Sequence, residues 1–112
     1  MIPVIDGDGK PAGAVTDRDI VCRIVAKGRN PRELRARDVM SEPCVTIAPD
    51  AELAECARLL EQHKLRRVVV VDAGGRCCGI VAQADLARAA VEIAGEVVRE
   101  VSEPMHAPAA IV

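Results

Sequence analysis

Residues 68–86, VVVVDAGGRCCGIVAQADL, and residues 2–20, IPVIDGDGKPAGAVTDRDI, align without a gap at a constant offset of 66. Asp6 falls on Asp72, Gly9 on Gly75, Lys10 on Arg76, Gly13 on Gly79, Val15 on Val81 and Asp19 on Asp85. The apolar positions coincide as well. Such repetition is the strongest organising signal a chain carries, because each copy must be one supersecondary unit. The fold is therefore decided here: one unit, used twice.

Each copy reads as strand, tight turn, strand, helix. Val68 to Val71 is a continuous β-branched run, suited to a strand covered on both faces. DGDG and DAGG are hairpin turns in which glycine supplies a positive φ. The second strands are expected over residues 12–16 and 78–82. A helix follows each, the first over 17–27 with Gly28 as its stop and Asn30-Pro31 beyond. The second starts near Gln83 and runs to about Val101, ahead of Pro104.

Between the copies, the linker carries Val39-Met40 and a short strand is expected at Cys44 to Ile47. Pro49-Asp50 then opens a helix, with Asp50 as its cap and Glu52 in the first turn. Leu53, Cys56, Ala57 and Leu60 recur at helical spacing and form one apolar face. The second unit is thus complete, strand-helix-strand-strand-helix. The first shows only its second half, and Met1 aligns with Arg67 in mid-unit. A start that is not the natural domain boundary is the expectation, with coverage by a neighbouring subunit as its alternative. The expected organisation is 1–30 as half of repeat 1, 31–40 as linker, 41–90 as repeat 2, and 91–112 as C-terminal helix and tail.

Composition narrows the function classes. The chain has 112 residues, 50% hydrophobic and 29% charged, with a formal net charge of −2. Dispersed basic residues and that balance argue against general affinity for nucleic acid or an anionic membrane. Phe, Tyr and Trp are all absent, so bases cannot be stacked on aromatic rings. No apolar run approaches the roughly 18 residues a membrane span needs. The first residues show no secretory pattern. Five cysteines, an odd number without C-x-x-C spacing, read as reduced thiols and point to the cytoplasm. His63 and His106 do not complete a zinc pattern, so no metal site is expected. Cys77-Cys78 is the one unusual pair and invites a thiol-switch reading.

The sequence resembles a tandem cystathionine-β-synthase (CBS) domain pair, or Bateman module. The residues that carry the resemblance are DVMSEPCVTIAPDAELAECARLLEQHKLRRVVVVDAGGRCCGIVAQADL for a full repeat and IPVIDGDGKPAGAVTDRDI for half of another. TDRDIVCRIVAKGRNP followed by ARDVM further resembles the small stand-alone bacterial type. The resemblance implies an α/β (α+β) fold of β-α-β-β-α repeats, with small mixed sheets packed against helices. It also implies a homodimer, and a cleft between repeats that binds an adenosyl small molecule and reports it to a protein partner. The ligand class so implied is AMP, ADP, ATP or S-adenosylmethionine, with Mg where phosphates are present. No cofactor is required, and neither nucleic acid nor membrane is a partner.

The ligand signature of that family, Gly-x-x-Thr-x-x-Asp, falls here on Gly13, Thr16 and Asp19. The resemblance assigns Thr16 to phosphate and Asp19 to ribose hydroxyls, with Gly13 giving backbone access. Thr16-x-x-Asp19 is equally a variant of the capping box, so both readings stay open. In the second copy the signature reads Gly79, Ala82, Asp85. Alanine neither caps nor binds phosphate, which leaves Asp85 as a ligand contact or a helix-dipole partner. Arg18, Lys64 and Arg66 are secondary candidates for phosphate, with solvated surface charge as the alternative.

Nothing points to catalysis. Asp17 and Asp19 are two apart at a helix start and do not face one bond. The function expected is a non-enzymatic nucleotide-sensing module. A ligand-free dimerisation or interaction module is the alternative.

Overall fold

The computed structural model describes residues 1–102. Pro104, His106 and the tail of the 91–112 segment lie outside the described residues. Each half is built on a hairpin. β1 (Ile2–Ile5) pairs antiparallel with β2 (Pro11–Val15), and β4 (Arg67–Val71) pairs antiparallel with β5 (Cys77–Ala82).

The two turns use the same chemistry. The Asp6 carboxylate accepts the N–H groups of Asp8 and Lys10 at 2.8 and 3.0 Å. Asp72 accepts those of Gly74 and Arg76 at 2.9 and 3.0 Å. Gly9 and Gly75 take φ of 81° and 79°, which only glycine adopts freely. Each hairpin carries a register shift beside its turn, at Val4/Ile5 and at Val70/Val71. A left-handed glycine next to one extra residue is the usual bulge arrangement.

The turns also meet each other. Cys77 donates its N–H to the Gly9 carbonyl at 2.9 Å. A side chain on Gly9 would lie against Arg76, and one on Gly75 would lie against Lys10. The side-chain approaches are mutual, whereas the hydrogen bond has no counterpart, because Pro11, which aligns with Cys77, carries no N–H.

Helix α1 (Asp17–Ile20) leads into a wider π-helical turn, Val21–Val25, closed by the Ala26 N–H on the Val21 carbonyl. Gly28 follows at φ 64° and stops the helix where expected. The linker forms a single 3-10 turn, Pro31–Glu33, and a short helix α2 (Ala36–Val39). Beyond it, Ser41 exchanges both backbone hydrogen bonds with Ala14, so the linker borders β2. Gly13 is why it comes so close. A β-carbon there would sit 2.7 Å from the Ser41 carbonyl and 2.8 Å from Met40 Sδ.

In the second half β3 (Thr46–Ile47) runs parallel to β4, giving the order β3-β4-β5. Only two of the expected strand residues pair as a named strand. Helix α3 (Leu53–His63) and helix α4 (Gln83–Ser102) complete the unit. Helix α3 starts later than the sequence suggests. The Ala51 N–H closes a turn on Ala48, and Glu52, not Asp50, holds the cap position, without a side-chain cap.

Ile47, Cys56, Leu60 and Val68 form the buried cluster, with Val45, Leu65, Val70, Val81 and Leu86 packed around it. Of the apolar face expected on α3, Cys56 and Leu60 enter this core. Leu53 and Ala57 instead line the groove between α3 and α4. Cys77 and Cys78 are neighbours on β5, where adjacent side chains leave opposite faces of the sheet. A bridge between them would have to distort the strand.

The two repeat-related glycines provide a matched test. Gly13→Ala is expected to destabilise the fold by about 1–3 kcal/mol through overpacking. Gly79→Ala, whose new methyl would meet nothing closer than Val70 Cβ at 3.9 Å, should be far milder. Denaturant midpoints of the two variants check the difference.

Candidate functional site: a charged cleft between the two halves

Thr16 ends β2 and caps α1. Its hydroxyl accepts the Asp19 N–H at 3.2 Å, and its own N–H donates to Asp19 Oδ2 at 2.8 Å. The Thr16 hydroxyl also lies 3.1 Å from Asp19 Oδ2 as a donor. The capping box read from the sequence is therefore formed.

Asp19 does more than cap. It is buried, with 8% of its surface exposed. The Ser41 hydroxyl donates to Oδ1 at 2.8 Å, and Arg23 Nε lies 4.0 Å from the same oxygen. Arg23 in turn donates to the Val39 and Met40 carbonyls at 2.8 and 2.6 Å. Sequence reasoning misses Ser41, which is 22 residues away and carries no local signal. It could have found Arg23, because four-residue spacing from Asp19 places both on one helix face.

Burial alone pushes the Asp19 carboxyl pKa up. The Thr16 N–H, the Ser41 and Thr16 hydroxyls and the Arg23 charge outweigh it and hold the group below its ordinary value.

Across from this corner stands the junction of α3 and β4. Lys64 caps α3 in the left-handed region at φ 53°, and the Leu65 N–H closes on the Leu60 carbonyl. That cap turns the chain sharply, so Lys64, Arg66 and Arg67 face the first half. The resulting cleft, about 980 Å³, is lined by Thr16, Arg18, Asp19 and Arg23 on one side and by Lys64, Arg66 and Arg67 on the other. Its lining includes five basic side chains, with Asp17 and Asp19 as the acids. Asp17 is exposed, borders the cleft and accepts the Arg18 N–H at 2.9 Å.

Two of the residues singled out by the Gly-x-x-Thr-x-x-Asp pattern stand elsewhere. Gly13 does not open its backbone toward the cleft, since Ser41 and Met40 fill the space beside it. It acts by admitting the linker that carries Ser41. Asp85 is absent from the lining of this cleft. Its carboxylate accepts the Ala82 N–H at 2.8 Å and pairs with Arg88. It thus keeps half of the capping box, the half that does not need a hydroxyl.

The depressed Asp19 pKa fixes a sign. The native state binds this proton less tightly than the unfolded chain, so the carboxylate contributes stability above about pH 4. That contribution is lost as pH falls through the lower native value. Asp19→Asn is expected to flatten the acid side of the stability–pH curve while leaving the residual slope due to Asp6, which is also lowered. Urea midpoints between neutral and acid pH measure both.

A family model described as CBS domain matches residues 1–26 and 36–92. CBS domain-containing protein YhcV of Bacillus subtilis is 40% identical over 86 residues, 77% of this chain and 59% of that protein. Hypoxic response protein 1 of Mycobacterium tuberculosis is 33% identical over 87 residues, 78% of this chain and 60% of that protein. The chain spans between 43% and 70% of the length of the curated relatives it matches first. Among solved structures, CBSX2 in complex with AMP superposes with a TM-score of 0.67 at 31% identity, covering 81% of this chain and 70% of that one. The CBS domain pair of protein MJ0100, in complex with 5-methylthioadenosine and S-adenosyl-L-methionine, gives a TM-score of 0.64 at 28% identity, covering 77% and 65%. The repeated hairpins, their shared turn chemistry and the family match agree, and the chain belongs to the CBS domain family.

Proposed function

We propose that the chain is a regulatory, non-enzymatic module that takes an adenosyl ligand in the cleft between its halves and acts as a homodimer. The observation that carries this reading is that Thr16, Arg18 and Asp19 line the same cleft as Lys64 and Arg66. Ribose hydroxyls are donors, and the Asp19 carboxylate is the acceptor placed to receive them. Phosphate oxygens are acceptors, and the Lys64, Arg66 and Arg18 groups supply donors and positive charge. The ligand touches both halves and so senses their separation. The complexes of relatives with AMP and with S-adenosyl-L-methionine support the adenosyl class. The Gly13 role in this reading is to hold the linker, and Asp85 acts as a helix cap outside the cleft.

A ligand-free interaction module is the second reading. It is favoured by one observation: Asp19 already accepts three hydrogen bonds within the chain. A ribose must share or displace them.

Calorimetric titration with AMP, ATP and S-adenosylmethionine decides between the two. Binding is expected, and Asp19→Ala should weaken it by about tenfold or more. Arg66→Ala, an exposed change that spares the core, should weaken ATP more than AMP. Absence of heat with all three ligands overturns the sensor reading. Lys64→Gly provides a separate signature. Relief of the left-handed cap should stabilise the fold by about 1 kcal/mol, while ATP binding weakens.

A further inference from the structure

The two oxygens of a carboxylate offer about four lone-pair sites. At Asp19 three are filled from within the chain. Oδ2 receives the Thr16 N–H at 2.8 Å and the Thr16 hydroxyl at 3.1 Å, and Oδ1 receives the Ser41 hydroxyl at 2.8 Å. Arg23 Nε, 4.0 Å from Oδ1, is beyond hydrogen-bond range. Among the described residues this leaves one site of Oδ1 open. A ribose brings two adjacent hydroxyls and needs two sites, so one occupant has to leave.

The three occupants are not equally easy to remove. The Thr16 N–H is fixed in the backbone at the cap of α1. The Thr16 hydroxyl is held from both sides, because it also accepts the Asp19 N–H at 3.2 Å. Ser41 is different. Its backbone is secured independently, by hydrogen bonds to and from Ala14 at 2.8 and 3.0 Å. Its hydroxyl can therefore turn away by rotation about one side-chain bond while the linker backbone stays in place. Ser41 is exposed and lines the same cleft as Asp19, so a released hydroxyl meets water. Asp19, with 8% of its surface exposed, has no such freedom.

We propose that Ser41 is an internal competitor for the ribose site, its hydroxyl holding the Oδ1 position that the second hydroxyl of a vicinal diol needs. The linker residue thereby sets the affinity of the cleft. This rests on the adenosyl reading and adds to it the residue that opposes binding. A ligand with a single ribose hydroxyl uses the open site and leaves Ser41 where it is. A ligand with both must give up a hydrogen bond to a charged group.

Calorimetric titration with AMP, 2′-deoxy-AMP and 3′-deoxy-AMP tests it. In the unaltered chain the second hydroxyl only replaces that of Ser41, so the three ligands should agree within about threefold. Ser41→Ala removes the competitor and should bind AMP about three to ten times more tightly, with no gain for either deoxy analogue. Ser41→Thr, which keeps the hydroxyl, should match the unaltered chain. AMP binding that is unchanged or weaker in Ser41→Ala overturns the inference and leaves the adenosyl reading standing. So does an equal gain for all three ligands, the mark of a merely loosened cleft, and so does a preference of the unaltered chain for AMP well beyond threefold. Absence of binding by both the unaltered chain and Ser41→Ala overturns the inference together with the adenosyl reading.

Discussion

A buried carboxylate must find donors, and the geometry of the site follows from how Asp19 finds them. Two come from Thr16, which fixes the strand-to-helix corner. One comes from Ser41, which draws the linker across β2, and Arg23 both faces the carboxylate and grips the Val39 and Met40 carbonyls. The glycine at position 13 is the steric condition for that approach. One side chain thus joins a helix cap, a linker and a cleft wall. In the proposed adenosyl reading, capping and ligand binding draw on the same Asp19 lone pairs, so a ligand that engaged them would also act on the linker.

The parts legible in the sequence are those governed by short-range chemistry. The Asp-Gly turns announce themselves because Gly9 and Gly75 must adopt a positive φ and Asp6 and Asp72 bond to their own following backbone. The Thr16 box is a three-residue pattern. The offset between the copies makes each half a check on the other. Ser41 is invisible in the sequence because its partner is fixed by tertiary approach rather than spacing. The start of α3 is displaced from its expected place because Pro49-Asp50 resembles a helix entry, yet the backbone spends Ala48 to Ala51 in a turn first. Lys64 and Arg66 read in the sequence either as phosphate candidates or as solvated surface charge, and the left-handed cap at Lys64 brings both into the lining of the cleft with Thr16.

The two copies have diverged around one shared skeleton. Both reach back from an aspartate to the backbone N–H at the strand end, Asp19 to Thr16 and Asp85 to Ala82, at 2.8 Å in each case. Only the first adds a hydroxyl and a burying linker. The second turns its free oxygen to Arg88 at the surface. The reach-back bond stabilises the corner in either copy. What surrounds it decides whether the aspartate is a structural cap alone or part of a cleft.

The contact between the two hairpin turns gives the molecule a fulcrum. Cys77 on Gly9 holds the hairpins together at one end. Thr16 and Arg66 flank the opposite ends of the same hairpins. A strand of five residues makes a lever arm of about 15 Å. A tilt of only a few degrees at the turns then moves the cleft walls by about 1 Å, enough to make or break a hydrogen bond. A small rotation at that contact would thus be read at the cleft as a large chemical difference.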